Sequence, residues 1–402
     1  MSNEPPGSAP VTAGQVFDGA KRAIKIALVA AALGAALLVV GIAIDRTAFF
    51  GAYLTAYAFV VSTAGGALIL LMSFHAMRAS WPTAVRRLLE GVVGVFPALA
   101  LLFLPLCFGL SRLYPWLHPE RFAPDERRLV MHKLPYLNVP FFLVRAAVFL
   151  AVWAGIAWLL RRWSFQKDAD QRAPVEDKLY RLSAGALPAV ALTFSFAAFD
   201  WLMSLTPVWF STMYPVYFFG GGFVAAIALL TIVTALAQRR GFLPEITESH
   251  YYALGRLLLA FIIFWAYAAF FQFMLMWMGN RPDEVIYYVT RWRGAWRAVS
   301  IVLVVGHFVI PFLVLLNYRL KRDGRWMAVV AAWILLLHYI DTVWLVAPAQ
   351  RAQAFPLHWL DLGAVLFIGG VSIAAALYSL RGRPLIPIHD PRLVHALRYE
   401  SL

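Results

Sequence analysis

Eight ionisable side chains stand within or at the ends of long apolar stretches of this sequence: His75, Glu90, Arg145, Asp200, Arg256, His307, His338 and Asp341. Such a group is expensive in hydrocarbon and by default points to function. Histidines and carboxylates at stepped depths are what a proton relay requires, because imidazole exchanges protons near neutral pH. The same residues could line a quinone pocket. His338 and Asp341 are three residues apart and share one helix face. Pro311 cannot bond back to the carbonyl of His307, which frees an acceptor beside that histidine. A structural alternative is that Arg145–Asp200 and His307–Asp341 are buried pairs that fix helix register. Ligation of a haem b by His307 and His338 is a third idea, limited by there being one intramembrane histidine pair. His75, Glu90 and Arg256 lie near helix ends, where snorkelling would satisfy them.

The elements that carry these groups follow from composition. Of 402 residues, 62% are hydrophobic, 15% aromatic and only 14% charged. Several apolar runs exceed the ~20 residues that cross a ~30 Å hydrocarbon core. They are continuous, not alternating, which excludes a barrel. The expected fold is an all-α polytopic membrane protein with about ten helices, at 25–44, 49–77, 88–110, 136–160, 182–203, 213–237, 254–278, 298–318, 326–347 and 360–380. Residues 1–22 are polar and Pro-rich, and a disordered N-terminal segment is expected there. The first apolar run is too long for a cleaved signal, so it should remain as the first helix.

The net charge of +14 is not a nucleic-acid signature, because the basic residues sit between the apolar runs. With the N-terminus inside, inner segments hold about twice as many Lys and Arg as outer loops. Both termini, including the tail 381–402, are therefore expected to be cytoplasmic, with the loops 111–135 and 279–297 outside. On that orientation Arg145 and His307 lie roughly 14 Å from the outer ends of their helices, with Asp200 and Asp341 roughly 5 and 9 Å from the outer boundary. Residues 49–203 and 213–347 read as two four-helix units of parallel repeat within a membrane domain 23–380. Helices 25–44 and 360–380 flank them. Each unit opens on a Gly-rich helix (Gly65-Gly66; Gly220-Gly221-Gly222), and close packing within each unit is expected there.

The single cysteine, Cys107, rules out an internal disulfide, a Cys-x-x-Cys-His haem site and an iron–sulfur cluster held by this chain alone. No cofactor or metal motif is visible, so no catalytic redox centre is expected in this chain.

Longer strings add a resemblance. Phe199-Asp200-Trp201-Leu202-Met203-Ser204-Leu205, then Trp209-Phe210-Ser211-Thr212 and Tyr217-Phe218-Phe219, resemble the NrfD-like membrane F subunit of bacterial alternative complex III, a quinol:electron-acceptor oxidoreductase. Similar stretches are Tyr136-Leu137-Asn138-Val139-Pro140-Phe141-Phe142 with Arg145, Leu254-Gly255-Arg256-Leu257-Leu258 running to Phe264-Trp265-Ala266-Tyr267, His307-Phe308-Val309-Ile310-Pro311-Phe312, His338-Tyr339-Ile340-Asp341 with Trp344, and His358-Trp359-Leu360-Asp361. The resemblance implies two four-helix bundles in a bacterial inner membrane. It implies partners that carry haem c and iron–sulfur clusters: a multihaem cytochrome, an iron–sulfur subunit, a monohaem cytochrome and a larger NrfD-like sister subunit. In that family the sister is taken to hold the main quinol site, which leaves quinone binding by this chain open. The expected function is a non-redox subunit that contributes a proton-conducting or quinone-adjacent bundle. A purely structural anchor, or a ten-helix secondary transporter without redox partners, are the alternatives.

Overall fold

The computed structural model describes residues 17, 20–353 and 355–401. Most of the segment expected to be disordered, 1–22, lies outside the described residues. Its last three residues, from Ala20, already belong to the first helix.

Ten helices among the described residues are long and apolar enough to cross a membrane. They are α1 (Lys21–Ile44), α2 (Arg46–Ala76), α3 (Thr83–Cys107), α4 (Val139–Ala169), α5 (Glu176–Leu205), α6 (Tyr214–Arg239), α7 (Glu248–Gly279), α8 (Trp296–Leu316), α9 (Gly324–Val346) and α10 (Trp359–Leu380). The regular elements are all helical, and the chain is an all-α multi-pass membrane protein.

Polar residues set many of the boundaries. Asp45 ends α1 and caps α2, its carboxylate accepting from the backbone N–H groups of Thr47 and Ala48 at 2.9 Å. Asn138 caps α4 through the Phe141 N–H at 3.0 Å, and Asp323 caps α9. At α10, His358 and Asp361 form a reciprocal capping box, and Arg351 adds a bond to Asp361 at 2.8 Å. Two helices are irregular. α3 breaks at Gly94-Val95. α8 widens into a π-helical stretch at Leu303–Val309, which ends two residues before Pro311. Proline's missing donor is a known cause of such a break in the ladder.

α2 and α6 form the centre. In their most apolar stretches 89% and 72% of residues are buried, against 28% in α1, α5, α7 and α8. The two cross where glycine removes the side chain. A methyl group on Gly66 would collide with the Gly222 carbonyl, and one on Gly222 would come within 2.5 Å of the Ser62 carbonyl. This corrects the expectation that the glycines tighten each unit internally. Gly66 and Gly222 join α2 to α6, helices assigned to different units. Gly65 and Gly221 do face inward within their units, toward Phe194 and toward His338.

α3, α4 and α5 pack around α2, α7 and α9 pack on α6 with α8 against α7 and α9, and α1 lies along α10. The connections 111–135 and 279–297 contain the short helices Pro124–Lys133 and Pro282–Arg291. The tail after α10 folds back onto the bundle and buries Leu385, Ile386, Leu393 and Ala396.

Candidate functional site

Asp341 is the centre of a buried polar cluster assembled by five helices. It sits on α9, 1% exposed, and accepts hydrogen bonds from the Tyr217 hydroxyl on α6 and from Trp265 Nε1 on α7 at 3.3 Å. One turn earlier on α9, His338 places Nε2 2.9 Å from the Ser62 hydroxyl on α2. Its Nδ1 is 3.9 Å from Asp341 Oδ2, beyond a direct hydrogen bond. His307 enters from the π-helical stretch of α8. Its ring centroid lies 4.3 Å from that of Trp265 and 6.4 Å from that of His338. It is fully buried, and neither ring nitrogen has a hydrogen-bond partner among the described residues. His338 Nδ1 is likewise unpartnered.

The local sequence explains this closeness. Gly221 on α6 faces the cluster, and a Cβ there would come within 3.0 Å of the His338 ring and 3.3 Å of Asp341 Oδ2. The wider π turns of α8 alter which side of that helix His307 occupies. Thr342 bonds back to the His338 carbonyl at 2.8 Å and is satisfied within α9.

The expected pair His307–Asp341 is not formed. Tyr217 and Trp265 occupy the acceptor positions of the carboxylate instead. The expected pair Arg145–Asp200 is formed, and in a closed geometry. Arg145 Nε donates to Asp200 Oδ2 at 2.6 Å and its second nitrogen to Oδ1 at 3.1 Å. Its third donates to the Tyr136 carbonyl at 3.0 Å. The guanidinium also lies 3.8 Å from the Tyr136 ring centroid and 4.2 Å from that of Phe141. Each of the three guanidinium nitrogens thus donates one hydrogen bond, two of them to the same carboxylate, as in a bidentate ion pair. No hydrogen bond among the described residues links it to the Asp341 cluster.

His75 and Glu90 belong to a third group, at the opposite end of α2 from Asp45. Snorkelling does not describe them: His75 is 2% exposed and Glu90 1%. Glu90 accepts from Arg87 at 2.6 Å, from Ser164 at 2.7 Å and from Arg86 at 3.2 Å. Arg87 also pairs with Asp168, and Arg86 with Asp390 of the tail at 2.6 Å. The tail and the end of α4 cover this charge network and hold it inside. Burial alone would raise the Asp390 carboxyl, but the guanidiniums of Arg86 and Arg392 overcome that and hold it well below the usual carboxylate range. Arg256 does reach outward, exposed, stacked 5.0 Å over Tyr252.

Tyr217, Trp265 and Ser62 complete the Asp341 cluster without having been candidates. The motif strings around Tyr217 and Trp265 were visible, but not their inward direction. Ser62 had no signal beyond a hydroxyl in an apolar helix. No group of three or more His, Cys, Asp or Glu among the described residues is arranged to hold a metal ion.

No family model matches the chain. A curated protein of Nitratidesulfovibrio vulgaris, described only as "Protein", is 27% identical over 198 residues. That alignment covers 47% of this chain and 47% of the relative, so the chain spans about half the length of the curated relative it matches.

Proposed function

We propose that the chain is a non-redox membrane subunit of a quinol-oxidising respiratory complex, and that its second bundle handles protons. The class of complex follows from the resemblance to the F subunit of alternative complex III. The proton role rests on one observation: Asp341, His338 and His307 stand together at depth with three imidazole nitrogens unpartnered. An imidazole with free nitrogens can take a proton on one and release it from the other. Tyr217 supplies a hydroxyl to Asp341 and Ser62 one to His338. Tight packing favours protons over a quinone headgroup here, since Asp341, His338 and His307 are all within 1% of full burial. The redox steps belong to partners: a multihaem cytochrome, an iron–sulfur subunit, a monohaem cytochrome and a larger sister subunit. The setting is a bacterial inner membrane with both termini cytoplasmic.

The first bundle supports a second, structural reading of its own charges. Arg145 grips both oxygens of Asp200 and the Tyr136 carbonyl, which suits an assembly pair better than an exchange site.

Mild-detergent extraction tests the class. A haem-containing partner should co-purify with the tagged chain; a chain that is repeatedly isolated alone, and active in solute uptake, would instead be a transporter. Labelling of Arg128→Cys and Asp283→Cys by an impermeant reagent in spheroplasts tests the orientation. Protection of both positions would reverse it.

A further inference from the structure

A groove of about 460 Å³ opens between α4 and the chain that follows α10. Arg161, Arg162 and Arg383 line it, beside Trp158 and Phe165. The nearest carboxylates are committed elsewhere: Glu90 to Arg86 and Arg87, Asp168 to Arg87, and Glu176 to Lys167. Among the described residues none of the three guanidiniums has a carboxylate partner.

They are nevertheless held in place. Arg161 donates to the Ser379 carbonyl at 2.9 Å, while its buried Nε has no partner. Arg383 and Arg161 lie over the Phe165 ring at 4.7 and 5.4 Å, and Arg162 over Trp158 at 5.0 Å. Backbone bonds between Phe17 and residues 382–383, at 3.0 and 3.2 Å, pin the segment that carries Arg383. Three like charges fixed around one groove repel each other unless an anion lies between them. Across the last turn of α10 a second groove adds Lys21, Lys25 and Arg381 beside Ile24, Leu28 and Val29. This end of the bundle therefore combines fixed cations with a lipid-facing apolar wall, and Trp158, 54% exposed, marks the boundary as interfacial tryptophans do.

We propose that the groove of Arg161, Arg162 and Arg383 binds the phosphate of an anionic phospholipid, whose acyl chains run along α4 past Trp158. Guanidinium matches phosphate oxygens in bidentate geometry, and basic pockets between transmembrane helices suit such headgroups. A free phosphate ion shares the headgroup chemistry, but it would make no use of the apolar wall.

The full-length protein in mild detergent is titrated with phosphatidylglycerol, phosphatidylcholine or inorganic phosphate and read by native mass spectrometry. Phosphatidylglycerol should bind about tenfold more tightly than phosphatidylcholine. Arg162→Gln with Arg383→Gln, both exposed and neither a partner in the Arg161–Ser379 bond, should weaken phosphatidylglycerol binding the more and remove that preference. The charge-keeping pair Arg162→Lys with Arg383→Lys should retain most of it, which separates lost charge from lost folding. Equal binding of the two lipids by the unaltered protein would overturn the proposal, as would an undiminished preference in the Gln pair. Inorganic phosphate binding as tightly as phosphatidylglycerol would assign the groove to a free anion and overturn the lipid.

Discussion

Gly221 lies against the imidazole of His338, so near that a Cβ on the glycine would come within 3.0 Å of the ring. One glycine on α6 thus fixes where a histidine on α9 stands relative to Ser62 and Asp341.

Gly221→Ala should therefore be folded but altered. The His338 ring can give by a few tenths of an ångström, so the cost is about 1 kcal/mol, at the low end for overpacking. Gly66→Ala and Gly222→Ala meet backbone, which cannot yield, and should cost about 3 kcal/mol or abolish assembly. Thermal melts of the three purified variants check the order. Gly221→Ala being the least stable would contradict this packing.

Arg145→Gln or Asp200→Asn should each destabilise strongly, by about 3–5 kcal/mol, because a buried charge is left uncompensated. Replacing both with apolar residues, Arg145→Met with Asp200→Leu, should recover much of the loss. Melting temperature and subunit retention are the readouts. Stable single variants that lose proton transfer would show that the pair belongs to a relay after all.

What the sequence made legible depends on how local the physics is. Ten spans could be read because each must supply its own apolar length and satisfy its own backbone. The Arg145–Asp200 contact could be anticipated because a full charge in hydrocarbon has few solutions. His307–Asp341 failed for the opposite reason. Both are groups that can be neutral, so neither compels a partner, and helix rotation decides which neighbour each meets. Tyr217 won the Asp341 carboxylate through that rotation. The π-helical stretch at Leu303–Val309 shifts the face of α8, and Pro311 only hinted at it. The burial of Glu90 and His75 depended on the tail returning from some 300 residues away, as the Arg86–Asp390 pair records.

The tail should stay docked across the physiological pH range. The folded-state value of Asp390 is depressed, so its contribution is complete above the unfolded value of about 3.9 and is lost only as pH falls further, through the folded value. Trypsin cleavage at Arg392 and Arg398, normalised at each pH to an unfolded substrate because trypsin itself is more active at pH 8, should thus not change between pH 6 and 8. Asp390→Asn removes the Arg86 and Arg392 partner and should speed cleavage about tenfold or more. Cleavage that rises steeply within the neutral range would mean another group holds the tail.

The proposed passage of protons through Asp341 in an assembled redox complex has a direct test. Asp341→Asn keeps the shape of the side chain and one acceptor oxygen for the Tyr217 and Trp265 donors, puts an amide NH2 in place of the other oxygen, and removes the exchangeable proton. Proton release per electron during quinol oxidation should then be measured in the intact mutant complex. The prediction is normal subunit retention with proton release reduced to that of quinol oxidation alone. Unchanged proton release per electron in the intact Asp341→Asn complex would contradict it.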